Sequence, residues 1–185
     1  MKKIIYSIPV LAFALFAFTS AGRFVSKNAH VRFFSHTSFE DITANNYKVV
    51  STIDPSSGTV IFSIPMQGFE FEKALMQEHF NGKDFLNTKE FPKAKFTGKI
   101  TNLSDIDFSK DGTYEATVQG ELSIKDSTQP LQTKGTVTVK GQTIIVNSTF
   151  NLVLANYGIT FKKGKPSTNI AKEIEVALTA EYQPE

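Results

Sequence analysis

Strict alternation of side-chain character over residues 114–124 constrains the fold of this chain more than any other feature of its sequence. Apolar or small residues alternate there with polar ones: Tyr114, Ala116, Val118, Gly120, Leu122 and Ile124 against Glu115, Thr117, Gln119, Glu121 and Ser123. A period of two places each class on one face of an extended strand, whereas a helix would mix the two classes. The segment is therefore predicted to be a β-strand with one buried face.

The same period recurs along the chain and predicts seven more strands. Three of these are as regular as the first, and four in the first half of the chain are less so. The eight predicted strands cover residues 29–35, 47–53, 59–64, 94–103, 114–124, 131–140, 143–154 and 170–182. Turn-forming residues at 55–58 and at Gly141-Gln142 separate neighbouring strands. The pattern indicates an all-β, antiparallel fold.

One segment departs from the strand pattern and is predicted to be helical. Its larger residues recur at helical spacing: Phe71, Ala74, Leu75 and His79. We expect a helix over residues 71–80, between the third and fourth strands, ending near Asn81-Gly82. A second short turn should follow at residues 84–86.

Eight antiparallel strands in about 160 residues favour a closed barrel, because closure removes the exposed edges of long strands. Strands of about twelve residues span roughly 40 Å. Tilted in an eight-stranded barrel, they enclose a tall interior that side chains or one slender ligand can fill. An immunoglobulin-like sandwich is the alternative, but its strands are usually shorter and it lacks such a helix.

The N-terminus has the form of a secretory signal peptide. Lys2 and Lys3 precede an uncharged run over residues 4–18, and small residues follow that run. A retained membrane anchor is the alternative, but the run is shorter than the roughly 20 residues that span a bilayer. We expect a signal peptide at residues 1–21, one mature domain at residues 22–185, and a periplasmic or secreted location. No later segment is apolar enough to predict an integral membrane span.

Composition excludes several classes of partner and chemistry. Without Lys2 and Lys3, 18 Lys and Arg balance 18 Asp and Glu, so the mature domain has no basic footprint for nucleic acid. The sequence contains no Cys, which excludes disulfides, thiol catalysis and Cys-based zinc sites. The core of the domain must therefore provide its stability unaided.

The sequence offers little for catalysis or metal binding. His30 and His36 would share one side of an extended strand, but no third ligand follows at a recognisable spacing. Loop or solvent-facing histidines are therefore favoured over a metal site. The most regular carboxylates alternate with core residues and should face water: Glu115, Glu121, Glu173 and Glu175. We predict no catalytic residue, no metal and no cofactor.

The chain contains 17 Phe and no Trp, and these rings require burial. They either fill a core or line a hydrophobic tunnel, and both arrangements need the same alternation. Small residues on the predicted inward faces favour a cavity: Ala116, Gly120, Thr133, Gly135 and Ala180. The candidate cavity residues are then Phe33, Phe62, Phe85, Phe96, Val118, Gly120, Leu122, Val137, Val146, Phe150 and Val176.

Two further expectations concern packing. Phe91 and Phe96 should point inward and Phe85 should pack beneath the helix, so that Phe96→Ala costs about 3–5 kcal/mol. Gly120→Phe should place its ring in empty volume and block the tunnel while leaving the fold intact. In a filled barrel the same change would instead overpack the core at a cost of about 1–3 kcal/mol.

Four segments resemble the YceI-like family. The segment HFNGKDFLNTKEFPKAKF at residues 79–96 is similar to the family's pattern of a helix end, Asp-Phe-Phe, an aromatic-Pro pair and a Phe four residues later. GELSIK at residues 120–125 resembles its Gly-x-Leu-Thr-Ile-Lys strand, although Asp126 stands where Gly usually follows. YGI at 157–159 and IEVAL at 174–178 resemble the closing segments.

The resemblance implies an extended, lipocalin-like β-barrel, exported to the periplasm and enclosing a long apolar molecule. Polyisoprenoids, isoprenoid quinones and fatty-chain lipids are the ligands it implies, and a homodimer is compatible with it. Met76 stands where the family often has Arg, three residues before its His, and Phe80 replaces the following Leu, so a polar contact to a ligand head group is absent from the pattern. A filled barrel, acting as a structural or interaction module of the cell envelope without a ligand, remains the alternative function.

Overall fold

The computed structural model describes residues 22–160 and 170–185, and most of these lie in β-strands. The predicted signal peptide at residues 1–21 lies outside the described residues. The strands are β1 (Phe24–His36), β2 (Asp41–Asp54), β3 (Thr59–Pro65), β4 (Phe69–Phe71), β5 (Lys93–Ile100), β6 (Gly112–Ile124), β7 (Ser127–Lys140), β8 (Thr143–Val153) and β9 (Glu173–Pro184). A short helix, α1, spans Ala74–Asn81, between β4 and β5. Within the described residues, no helix combines the length and apolar character that a membrane crossing requires.

The long strands form a closed antiparallel barrel. Hydrogen-bonded neighbours follow the order β1-β9-β8-β7-β6-β5-β3-β2, and β1 also pairs with β2, which closes the ring of eight strands. The three-residue strand β4 pairs with Ala44, Asn45 and Asn46 of β2, directly after β3 leaves that strand. The predicted eight-stranded antiparallel barrel with one short helix after the third long strand is confirmed.

The helix is present and ends where expected, but it begins three residues later than predicted. Phe71 belongs to β4, where it pairs with Ala44, and the helix starts only at Ala74. Leu75 is therefore 61 % exposed, whereas Phe80 is buried and Met76, one turn earlier, packs against the core. The helical spacing in the sequence thus included Phe71, which the structure places in a strand.

A cluster of aromatic rings packs beneath α1 at one end of the barrel. The Phe80 ring centroid lies 5.0 Å from that of Phe71, 5.5 Å from that of Phe69 and 6.2 Å from that of Phe85. Phe33 of β1 completes the cluster, 5.4 Å from Phe69. Phe85 thus packs against the helix as expected, and several of the 17 Phe residues anchor α1 to the barrel.

The opposite end of the barrel is closed by a buried hydrogen bond. Tyr182 is fully buried, and its hydroxyl lies 2.6 Å from the Ser51 hydroxyl oxygen. Ser51 donates its own hydrogen to the carbonyl oxygen of Ile61 at 2.9 Å, so Tyr182 must be the donor to Ser51. Burial raises the pKa of Tyr182 well above its ordinary value.

This raised pKa predicts a loss of stability at high pH. The unfolded chain ionises its tyrosines near pH 10, whereas Tyr182 stays neutral in the folded barrel. The stabilisation is complete below about pH 10 and is lost as the pH rises toward the folded-state pKa, by at most about 1.4 kcal/mol per pH unit. Tyr182→Phe should weaken this fall and cost about 0.5–1.5 kcal/mol at neutral pH.

Urea unfolding of both proteins between about pH 8 and pH 12 measures the difference. Tyr157, whose pKa burial also raises, is present in both proteins and so cancels from the comparison. An unchanged pH slope in the variant would contradict the assignment to Tyr182.

Candidate functional site: an apolar cavity inside the barrel

The barrel encloses a cavity lined mainly by apolar side chains. Its volume is about 170 Å³. Ten of the eleven candidate residues line it: Phe33, Phe62, Phe85, Phe96, Val118, Leu122, Val137, Val146, Phe150 and Val176. The alternating pattern thus brought together side chains from β1, β3, β5, β6, β7, β8 and β9, and from the segment after α1.

The inward side chains are less buried along one wall of the barrel than along the other. Val118, Leu131, Val146 and Val176 lie on inward faces of β6 to β9, yet they are only partly buried. Their counterparts on β3 and β5, such as Phe62 and Phe96, are buried. Inward side chains remain partly accessible where nothing packs against them, so the empty volume runs along β6 to β9.

The cavity has a floor and a mouth. Toward the end that holds Tyr182 it reaches Ile53, Ile100 and Val137, and beyond these residues Val139 and Ile144 are almost fully buried. At the opposite end it is lined by Leu154, Ile159 and Ile170, which lie outside the strands. Packed side chains close the floor, and the end of the barrel that carries α1, where an outer cleft adjoins the cavity, is called the mouth below.

The few polar residues in the lining mark the place where β7 and β8 separate. Pairing between these strands runs from Lys140 opposite Thr143 to Gly135 opposite Ser148 and stops there. The Ser148 hydroxyl donates to the Lys134 carbonyl oxygen at 2.7 Å and lies 3.0 Å from the Thr133 hydroxyl. These side-chain hydrogen bonds replace the strand pairing at the point where the cavity wall begins to open.

An outer cleft of about 760 Å³ lies at the mouth, between α1 and the β1–β2 turn. It shares Phe80, Phe85 and Ile170 with the cavity, so the two spaces adjoin. Its rim is polar and includes Glu40, Lys73, Glu78, His79, Lys83 and Asp84. Met76, at the position where the family often has Arg, lines the same cleft as an apolar side chain.

Gly120 is the candidate residue that does not line the cavity. It lies opposite Gly98 on β5, and a Cβ at position 120 would collide with the Thr97 carbonyl oxygen and the Gly98 Cα. The ring of Phe96 covers this glycine pair, with its Cζ 2.9 Å from the place that such a Cβ would take. The expectation that Gly120→Phe leaves the fold intact is therefore wrong, because strand backbone and a ring already fill the space.

Phe91 also differs from its predicted position. It is half-buried outside the cavity, and the Lys125 ammonium lies 5.9 Å from its ring centroid. Phe96, by contrast, is buried and lines the cavity. The Pro92 corner that joins these two segments turns the chain between them, so the two rings do not share a face.

The histidines make local hydrogen bonds in this structure. His30 donates from Nε2 to the Asn45 side-chain oxygen at 2.9 Å and stacks on Tyr47, with ring centroids 4.3 Å apart. His36 donates from Nδ1 to Asp41 at 2.6 Å. Within residues 22–160 and 170–185, no three metal-binding side chains cluster.

Some cavity residues were not among the candidates. Leu131 and Leu178 continue inward faces that the alternation had already defined, so their signal was present in the sequence. Leu154 and Ile159 belong to a 3-10 turn after β8 and its following loop, and Ile170 precedes β9. These residues have no periodic pattern, and only the closed structure places them at the mouth.

A closed eight-stranded antiparallel barrel with an apolar interior places the chain among the lipocalin-like barrels. The chain belongs to the YceI-like family: the model of the YceI-like domain matches residues 23–182. A UPF0312 protein of Shewanella denitrificans is 28 % identical over 128 residues, which are 65 % of this chain and 63 % of the relative. The chain thus spans under two thirds of the length of that curated relative.

Solved structures share the fold. A polyisoprenoid binding domain from Saccharophagus degradans, implicated in plant cell wall breakdown, matches with a TM-score of 0.74 and 12 % identity, covering 89 % of this chain and 99 % of that domain. BcnA of Burkholderia cenocepacia matches with a TM-score of 0.67 and 18 % identity, covering 83 % and 95 %. At these identities the likeness establishes the barrel architecture alone.

Proposed function

We propose that this protein holds one long apolar molecule, a polyisoprenoid, an isoprenoid quinone or a fatty-chain lipid, inside its barrel. The observation that carries the proposal is the apolar cavity, closed at the Tyr182 end and adjoined by the outer cleft beside α1. The structural neighbour from Saccharophagus degradans, described as a polyisoprenoid binding domain, supports the same class of ligand.

The energetics favour a chain-like ligand over a compact one. Each buried methylene contributes roughly 0.8 kcal/mol, so the gain grows with the length of tail inside the barrel and offsets association and ordering costs of several kcal/mol. A tail in the cavity would place its polar end in the outer cleft, near Lys73, His79 and Lys83. A lipid with one slender chain and a small head group fits this arrangement, in which an apolar cavity adjoins a cleft with a polar rim.

The proposed role is binding rather than catalysis. The family and the binding-domain neighbours support this class of protein. The polar residues of the cavity lining, Thr133, Lys134 and Ser148, bond to one another at the β7–β8 junction. They hold the wall together there, which leaves the tunnel with an apolar binding surface.

The proposal is tested by uptake of a fluorescent polyene fatty acid into protein stripped of lipid by organic extraction and refolded. We expect saturable binding of one probe per barrel, with displacement by an unlabelled polyprenol. A filled barrel that serves as an envelope module would show no saturable uptake, and this result would contradict the proposal.

We also propose that the protein is exported and that residues 1–21 are removed. The barrel begins at Phe24, and the Arg23 carbonyl oxygen accepts a hydrogen bond from the Glu185 backbone N–H at 2.9 Å. Cleavage after about Ala21 would leave all of these contacts intact. Mass analysis of protein from the cell envelope should give a mature chain that starts near Gly22, whereas an intact Met1 in a membrane pellet would indicate an anchor.

A further inference from the structure

Two apolar side chains project into solvent beside the mouth of the cavity. Among the described residues, Phe39 and Leu75 are the most exposed large hydrophobic residues, at 85 % and 61 %. Phe39 lies in the β1–β2 turn, and Leu75 lies in the first turn of α1. They come from different elements, so their joint exposure is not a property of one irregular segment.

An ion pair fixes these two elements to each other. The Lys73 ammonium, two residues before Leu75, lies 2.5 Å from the carboxylate of Glu40, the residue after Phe39. Glu40 and Leu75 both line the outer cleft, which adjoins the cavity at Phe80. Phe39 and Leu75 therefore belong to the end of the barrel where the outer cleft adjoins the cavity.

The exposure of Phe39 is built into its turn. The Thr37 hydroxyl oxygen accepts hydrogen bonds from the backbone N–H groups of Phe39 and Glu40, at 3.3 and 3.1 Å. The same hydroxyl donates to the Glu40 carbonyl oxygen at 3.0 Å. These bonds order the backbone of the turn, and in this turn the Phe39 ring is exposed although burial of a Phe ring is favourable.

The surroundings of these side chains favour a lipid bilayer over a protein partner. The two side chains are single projections on either side of a cleft, whereas a stable protein interface needs a continuous surface of about 800 Å² per partner. The charged residues of the rim carry both signs: Lys73 and Lys83 are basic, and Glu40, Glu78 and Asp84 are acidic. Among residues 22–160 and 170–185, the cleft residues form no basic cluster of the kind that binds anionic lipids, and a rim of mixed charge suits neutral, zwitterionic head groups.

We propose that the barrel docks on a lipid bilayer through its mouth, with Phe39 and Leu75 inserted among the head groups. Aromatic and aliphatic side chains at such a depth bury their carbon while the polar rim stays in the head-group layer. The cavity would then open toward the membrane, so a lipid tail could enter without crossing water. This surface goes beyond the proposed ligand, and its test needs no ligand in the cavity.

The absence of Trp from the sequence allows a sharp test. Phe39→Trp introduces a single tryptophan, which can be excited apart from the five Tyr, and we expect its emission to shift to the blue when vesicles of phosphatidylcholine are added. Brominated lipids should quench it most strongly when the bromine lies near the head groups. Val50→Trp is the matched control: Val50 is 43 % exposed on the outer face of β2, toward the other end of the barrel, and its emission should not shift.

Phe39→Ser should reduce co-sedimentation with the same vesicles by about tenfold. Its uptake of the fluorescent fatty acid from solution should be unchanged, which separates failure of docking from failure of ligand binding. Equal shifts for Trp at positions 39 and 50 would overturn the proposal. So would a blue shift that appears without vesicles as protein concentration rises, because a second copy of the chain would then cover Phe39.

Discussion

Gly120→Phe should destabilise the barrel by more than about 3 kcal/mol, which for a domain of this size lowers the melting temperature by about 10 °C. The physical reason is the close approach of Gly120 and Gly98 on neighbouring strands. Even a single Cβ at position 120 would meet the Thr97 carbonyl oxygen and the Phe96 ring. This steric clash can be removed only if the β5 backbone moves. The rest of the new phenyl ring has no empty space to enter.

Thermal unfolding followed by circular dichroism measures this effect. Gln119→Phe is the matched control, because it places the same ring one residue away on the exposed face of β6. We expect the control to melt within a few degrees of the parent protein. A melting temperature for Gly120→Phe equal to that of the control would show that β5 and Phe96 give way at little cost.

Val118→Phe should abolish uptake of the fluorescent fatty acid, or weaken it by at least about a hundredfold, while the barrel stays folded. Val118 is partly buried and lines the cavity, between Ile100 on β5 and Thr133 on β7. Its new ring can enter existing empty volume, so the expected cost in stability is below about 1.5 kcal/mol. The ring would occupy space that the lipid tail needs, and loss of several methylene contacts at roughly 0.8 kcal/mol each gives the predicted fall in affinity.

The same assay with Gln119→Phe separates blocking from a general effect of an added ring. That variant should bind the probe like the parent protein, because its ring faces solvent. Normal uptake by a folded Val118→Phe would mean that the probe binds elsewhere, for example in the outer cleft.

The strands and their inward faces could be predicted from the sequence because a period of two is a local property. Val118, Val137, Val146 and Val176 each follow from the alternation of their own strand, and all four line the cavity. Closure into a barrel followed from the number of strands and the cost of exposed edges. The family resemblance added the expectation of an apolar interior.

Gly120 marks the limit of this reasoning. Alternation placed it correctly on the inward side of β6, but its space is taken by a partner strand and by the ring of Phe96. Which residue lies opposite Gly120 depends on the register between β5 and β6, and that register is not encoded in either strand alone. From the sequence alone, the small residue Gly120 was therefore interpreted as a sign of free volume, although the Phe96 ring covers it.

The mouth of the cavity was beyond prediction for a related reason. Phe71 was assigned to the helix because its spacing fits one, although pairing with β2 holds it in β4. Leu154, Ile159 and Ile170 follow or precede strands without any period, so nothing in their local sequence indicates a shared position. Tertiary contacts, and not a local sequence pattern, bring these residues together at the end of the cavity.

The central claim, that the cavity holds a long-chain lipid, is tested most directly by mass spectrometry of organic extracts from the protein purified from its native cells without detergent. The account predicts one isoprenoid or fatty-chain species in near-equimolar amount with the protein, and its loss from Val118→Phe purified in the same way. Gln119→Phe should retain it. An extract of the parent protein that contains no such species, from protein that also fails to take up the fluorescent probe after refolding, would contradict the claim.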